Sequence, residues 1–276
     1  MKILALVLHA FLELKAKVTL IILAGISTLV LLVVFLALSS EQAEAGLTLF
    51  MFGQPVSPPV AADAFAKLVI QIQGELAGGL LFGISLFGVF ATASLIPDAL
   101  ERGTIDIYLS KPIGRWQLLL GKHLGAVGVV FANIVYFVGA SWLVIGLKVG
   151  VWNPHYLVAG LSMTLSFACL YSIVVFFAVV SRSTAVSIIG AFIYYFTAPI
   201  FLESRESTLY LISENSIYRT VVDGLYYALP QISALTTNIG NQIAQSPVDW
   251  VPFLQSFLSA AAIFGLASIL FNRTDY

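Results

Sequence analysis

VTLIILAGISTLVLLVVFLAL, residues Val18–Leu38, runs for 21 residues without a charged side chain. At 1.5 Å of rise per residue a helix of this length spans about 30 Å, the thickness of a bilayer's hydrocarbon core. A helix satisfies every backbone N–H and C=O within the segment, which lipid requires and an open strand does not provide. Five further runs reach or approach that length: Leu76–Ile96, Leu124–Leu147, Tyr156–Val180, Ala185–Leu202 and Val251–Phe271. The sequence therefore predicts an all-α polytopic membrane protein of about six transmembrane helices in a single domain over residues 1–276. On a longer reading the second span begins near Leu68. Gln71, Gln73 and Glu75 then fall at its outer end, in interfacial water or against a protein-lined surface.

Composition agrees with this class. Hydrophobic residues make up 59% of the chain and charged residues 10%, against roughly 45–50% and about 25% in soluble domains. The single cysteine, Cys169, lies in an apolar stretch, so no disulfide framework can form within one chain. A net charge of −1 offers no basic face to phosphates, which argues against a nucleic-acid partner and leaves the lipid bilayer as the surroundings.

Lysine and arginine resist transfer across a membrane, so their distribution sets the orientation. With both termini inside, Lys2, Lys15, Lys17, Arg102, Lys111, Arg115, Lys122, Arg182 and Arg273 are internal, and only Lys67, Lys148, Arg205 and Arg219 are external. The even number of spans fits that placement. Ala43-Glu44-Ala45 resembles a signal-peptidase site, but the preceding run is longer than a signal core. Ahead of it, Lys2, His9 and Glu13 share one helical face of residues 1–17, with Ile3, Leu4, Val7, Phe11 and Leu14 largely elsewhere. That pattern predicts an interfacial helix on the inner leaflet, with a short buried helix as the alternative.

Two outer loops are long. Residues 39–67 are rich in Pro, Ala, Ser and Gln, and within them Gln54-Pro55-Val56-Ser57-Pro58-Pro59 is expected to be irregular and extended. Within residues 203–250, Ile217, Val221, Val222, Leu225, Tyr226 and Leu229 recur at helical spacing before Pro230, predicting a short amphipathic or re-entrant helix. Glycines four residues apart at Gly74/Gly78, Gly79/Gly83, Gly121/Gly125 and Gly146/Gly150 permit close helix approach.

The inner segment 97–123 carries a disproportionate share of the charge. Asp98 and Glu101 have the spacing of a capping pair, so a short helix is expected to begin after the second span, with Gly103 ending it. Lys111-Pro112 then breaks the chain, and Arg115 to Lys122 leads into the third span.

Three pieces of this segment join into one pattern: Glu101-Arg102-Gly103-Thr104, then Leu109-Ser110-Lys111-Pro112-Ile113-Gly114-Arg115, then Leu119-Leu120-Gly121-Lys122-His123-Leu124-Gly125. Together they resemble the first cytoplasmic loop of the six-helix, type-two permeases of ATP-binding-cassette exporters. That family includes the permease of the nitrous oxide reductase maturation system. The resemblance implies a permease domain in a prokaryotic plasma (inner) membrane. It implies a second permease chain, identical or not, and a cytoplasmic ATPase subunit that carries ATP and Mg. It also implies a cytoplasmic coupling helix formed around Asp98, Glu101, Arg102, Gly103, Thr104, Pro112, Arg115 and Lys122. The chain contains no phosphate-binding Gly-x-x-x-x-Gly-Lys-Ser/Thr sequence, so hydrolysis belongs to the partner and no cofactor is expected here. A solvated loop that satisfies the charge bias is the plainer reading of the same residues.

Two other classes stand beside this reading. An intramembrane enzyme would draw on His9, His123, His155, Cys169 or Glu75, yet no metal-binding spacing joins them and the histidines fall at span ends. Cys169 reads as a small packing residue. An ion-coupled carrier or channel needs ionisable groups in the membrane, and only Glu75 comes near. Glu75, Asn133 and Tyr136 are the candidate polar residues for a pathway or for helix contacts.

Overall fold

The computed structural model describes residues 2–16, 18–43, 46–101, 103–110 and 113–273. Among these residues, six helices are long and apolar enough to cross a membrane. An amphipathic helix α1 (Lys2–Ala16) precedes the first span, α2 (Thr19–Ala37). The second span begins with α3 (Ala62–Gly83), passes through a π-helical turn at Ile84–Gly88 and the short α4 (Val89–Thr92), and ends in a 3-10 turn at Ala93–Leu95. After the short α5 (Thr104–Leu109) come the spans α6 (Arg115–Val149), α7 (Pro154–Ser181) and α8 (Thr184–Ala198). Two shorter helices, α9 (Ser216–Ala228) and α10 (Ile232–Ile243), precede the last span, α11 (Val251–Arg273).

Helix α7 is the hub, packed against α6, α8, α10 and α11. Tyr156, Phe167 and Tyr171 on it are fully buried. Side-chain hydroxyls bond backbone carbonyls along the distorted part of the second span. Ser85 Oγ donates to Leu81 O at 2.8 Å, Thr92 Oγ1 to Gly88 O at 2.6 Å, and the Tyr171 hydroxyl to Thr92 O at 2.8 Å. Cys169 is a buried free thiol in the core, as expected of a packing residue. His123, expected at a span end, is instead interior, its ring 5.5 Å from those of Tyr171 and Phe264.

Within residues 39–67, residues 56–59 are irregular as expected, but the stretch before them is ordered into strands. Strands β1 (Leu38–Ala43) and β2 (Gly46–Met51) form an antiparallel hairpin, with Leu38 opposite Met51 and Ala43 opposite Gly46, and β3 (Gln54–Pro55) adds a short third strand. Gly46 has φ +133°, and a Cβ there would lie 2.6 Å from Val60 O, so only glycine fits. Leu38 and Leu49 pack with Phe65, Val69, Ile145 and Val149 into a second core where the hairpin meets the ends of α3 and α6. Burying each such side chain stabilises the hairpin by roughly 1.5–3 kcal/mol. Lys148 fixes it to the bundle, its Nζ bonded to Phe35 O and to Leu38 O.

Residues 203–250 form two α-helices where the periodicity predicts one. Amphipathic α9 follows the predicted pattern up to Pro230. Beyond it, α10 buries Ile232, Leu235, Ile239 and Ile243 against α3 and α7. Arg205 anchors α9 to the segment that follows α8, with its Nε 2.7 Å from Asp223 Oδ1 and its guanidinium 3.8 Å from the Tyr226 ring centre. The Tyr210 hydroxyl donates to the same carboxylate at 2.6 Å. The Tyr210 bond and Arg205 hold the Asp223 carboxyl below its ordinary 3.8.

Candidate functional site

The segment between the second and third spans folds into a compact knob. Pro97 starts a 3-10 turn, Asp98–Leu100, whose Ala99 and Leu100 are buried. Glu101 is then extended, and its carbonyl accepts from the amides of Thr104 and Ile105, both at 3.1 Å. Gly103 has φ +88° and ψ −44°, a conformation that a side chain opposes, and it forms the N-cap of α5. The expectation that a helix begins after Asp98 and ends at Gly103 is therefore reversed. The helix begins after Gly103, because the 3-10 turn has already used the Asp98–Leu100 backbone. Arg102 and Pro112 lie outside the described residues.

One side of the knob faces inward and the other outward. Ile105 is buried in the core and Tyr108 is half-buried, with its hydroxyl 3.3 Å from His9 Nδ1 on α1. Glu101 and Asp106 are exposed. Helix α1 in turn lies along α6. Leu6 and Ala10 sit so close to Gly121 and Gly125 that a Cβ at either glycine would come within 2.4 Å of theirs. Of the four glycine pairs in the sequence, this is the one that brings two helices together. Gly74, Gly78, Gly79 and Gly83 meet nothing within 4 Å, while Gly146 lies under the Trp152 ring. Leu4, Leu8 and Leu12 remain exposed along α1, consistent with a helix that is part packed and part interfacial.

Two residues expected to act in coupling have internal partners instead. Lys122 is almost completely buried and its Nζ lies 2.5 Å from Glu13 Oε2, with the Tyr108 ring centre 5.5 Å away. Arg115 Nη1 donates to Phe271 O at 3.0 Å and to Asn272 O at 3.3 Å. A cation there complements the carbonyl end of α11. His9, Glu13, Lys122 and Tyr108 thus form one polar chain linking α5, α1 and α6. Its signal in the sequence is the single polar face of α1, which includes Glu13. The partner is not legible there, because Lys122 stands 109 residues away.

The candidate pathway residues lie elsewhere. Ser27 Oγ donates to Asn133 Oδ1 at 3.0 Å, and Thr28 Oγ1 lies 2.9 Å from the Tyr136 hydroxyl, so both pairs join α2 to α6. Gln73 is fully buried and accepts from Asn153 Nδ2 at 3.1 Å, which favours the protein-lined alternative for that residue. Asn153 Nδ2 also donates to Ile243 O at 2.9 Å, tying α3, α7 and α10 together. Glu75 is exposed beside a cleft between α2, α3 and α6.

No individual curated protein matches the sequence. The family model described as ABC-2 family transporter protein matches residues 13–276, and the chain belongs to that family.

Proposed function

We propose that this ABC-2 permease is the membrane half of an ATP-driven exporter. In this reading two copies of the chain pair, and each rests on a separate ATPase subunit that binds ATP and Mg. The carrying observation is the knob: a short helix on a sharp glycine cap, with Glu101 and Asp106 exposed on one side and Ile105 and Tyr108 seated on the other. A rigid element of this kind, docked on a partner, transmits displacement to the spans on either side of it. Through Tyr108 and His9 the displacement also reaches α1. The exposed carboxylates suit a basic surface on the ATPase. The test is purification of a tagged copy in mild detergent. A nucleotide-binding protein is expected to co-elute in about equal amount, and transport by the chain alone on an ion gradient would replace this reading with a carrier.

The orientation proposed is cytoplasmic for both termini and for the knob. It is supported by the contacts of His9 and of the Phe271 and Asn272 carbonyls with the 104–115 segment, which gather these parts at one end of the bundle with most of the cations. Single cysteines at Gln54, Ser110 and Ser246, all exposed, in a Cys169→Ala background should report it. In sealed cells an impermeant maleimide is expected to label positions 54 and 246 but not 110. Labelling of Ser110→Cys from outside would invert the topology.

A further inference from the structure

The cleft between α2, α3 and α6 has a volume of about 570 Å³, and among the described residues Glu75 is the only charged one that lines it. That size lies within the ordinary range of small-molecule sites. Its walls are aliphatic and aromatic, and on the α3 side Leu76, Leu80, Ile84 and Phe87 follow one helical face inward from Glu75. Gly79 and Gly83 also line it and, lacking side chains, leave the space open. The π-helical turn at Ile84–Gly88 forms its inner part, and such turns inside helices recur at functional sites. The two other polar residues at the cleft, Ser27 and Asn133, are bonded to each other.

Glu75 is different. Among the described residues it makes no hydrogen bond and no ion pair. A carboxylate beside apolar walls near a membrane is costly unless a cation meets it. The cations on the hairpin side are mostly committed: Lys148 to the carbonyls of Phe35 and Leu38, Arg205 to Asp223, and Arg219 to the Tyr210 ring. Lys67 sits eight residues before Glu75 on α3, about 12 Å along the axis.

We infer that this cleft binds a hydrophobic monocation, with its charge beside Glu75 and its apolar body against the Leu80, Ile84 and Phe87 wall. The inference deepens the pathway role considered for Glu75, and it rests on the transporter reading only for the fate of the bound ion. An acyl chain would fill the apolar part without using the carboxylate, and a second copy of the chain would cover the opening. The charge complementarity favours the cation over both.

The probe is tetraphenylphosphonium, compared with tetraphenylborate, an anion of nearly the same shape. Equilibrium dialysis against the purified full chain in detergent should show one saturable site per chain for the cation and none for the anion. Glu75→Gln is expected to weaken cation binding at least tenfold, about 1.4 kcal/mol, with unchanged elution and melting temperature. Glu75→Asp should retain most of the affinity, and Gly79→Leu should remove it by filling the cleft. If Gly79→Leu fails to fold, Glu75→Gln still decides the matter. Equal binding of both ions, or undiminished binding by Glu75→Gln, would overturn the proposal. So would high-yield disulfide formation between two copies of Glu75→Cys in a Cys169→Ala background, which assigns the cleft to the second chain. The binding needs no ATPase. Loss of ATPase capture with intact, Glu75-dependent binding would therefore remove the exporter reading and leave the site, and the converse result would remove only the site.

Discussion

Glu13→Ala is expected to lower the unfolding free energy of the purified chain by about 3–5 kcal/mol, the usual cost of leaving one half of a buried ion pair alone. Lys122 has 2% of its side chain exposed against 19% for Glu13, so the lysine suffers more from losing its partner. The Tyr108 ring at 5.5 Å offers it only a weak substitute. Lys122→Met should cost less, because Glu13 keeps His9 at 3.7 Å and some access to water. The double variant Glu13→Leu with Lys122→Met should recover most of the loss, since an apolar pair avoids the desolvation of both charges. The measurement is the denaturation midpoint in detergent, with limited proteolysis to detect release of α1. A midpoint for Glu13→Ala equal to that of the native chain would show that the pair contributes nothing at this interface. A selective loss of α1 protection would instead place the pair's effect in docking α1 on α6, where Gly121 and Gly125 already allow close contact.

This pair marks the boundary of what is legible in the sequence. The six spans follow from run length alone, because lipid leaves the backbone of an apolar segment one choice. The close approach at Gly121 and Gly125 is legible as spacing, though not its occupant, the first helix of the chain. The hairpin at residues 38–51 is not legible. Its stability comes from Leu38 and Leu49 meeting Phe65, Ile145 and Val149, contacts that local composition does not reveal. At the knob, the residues are recognisable as a unit, but two of their roles are not. Lys122 and Arg115 look like surface cations because their partners, Glu13 and the end of α11, are more than 100 residues away. The start of α5 is displaced from its expected position because a capping pair and a glycine N-cap compete for the same residues. Asp98 and Glu101 have the right spacing, and the positive φ of Gly103 decides against it.

If the knob docks on an ATPase subunit as proposed, Glu101→Lys is expected to release that subunit or to uncouple its turnover from transport, while leaving the chain's own stability unchanged. The two halves of this expectation rest on different atoms of the residue. The Glu101 carbonyl holds the amides of Thr104 and Ile105 and so builds the turn, and any side chain leaves that intact. Its carboxylate is exposed and makes no hydrogen bond or ion pair among the described residues. A contact with a partner cation at about 4 Å is worth roughly 1–4 kcal/mol, depending on how far water is excluded. Losing that attraction alone predicts a loss of affinity of about fivefold to several hundredfold, and reversal, which puts a repulsion in its place, predicts a larger loss. Glu101→Gln removes the attraction alone and should fall between. Asp106→Lys, on the exposed side of α5, should act in the same direction. Gly103→Val is the contrasting case. Its strain of about 1–3 kcal/mol falls on the cap itself, so stability and coupling should decline together. Arg115→Glu belongs with Gly103→Val, since it attacks the anchoring of α11 and not an exposed surface. The readouts are membrane expression, ATPase co-elution and transport-linked ATP turnover. Normal values of all three in both Glu101→Lys and Asp106→Lys would show that the exposed carboxylates only solvate a loop, and the drive from an ATPase would have to enter the spans elsewhere.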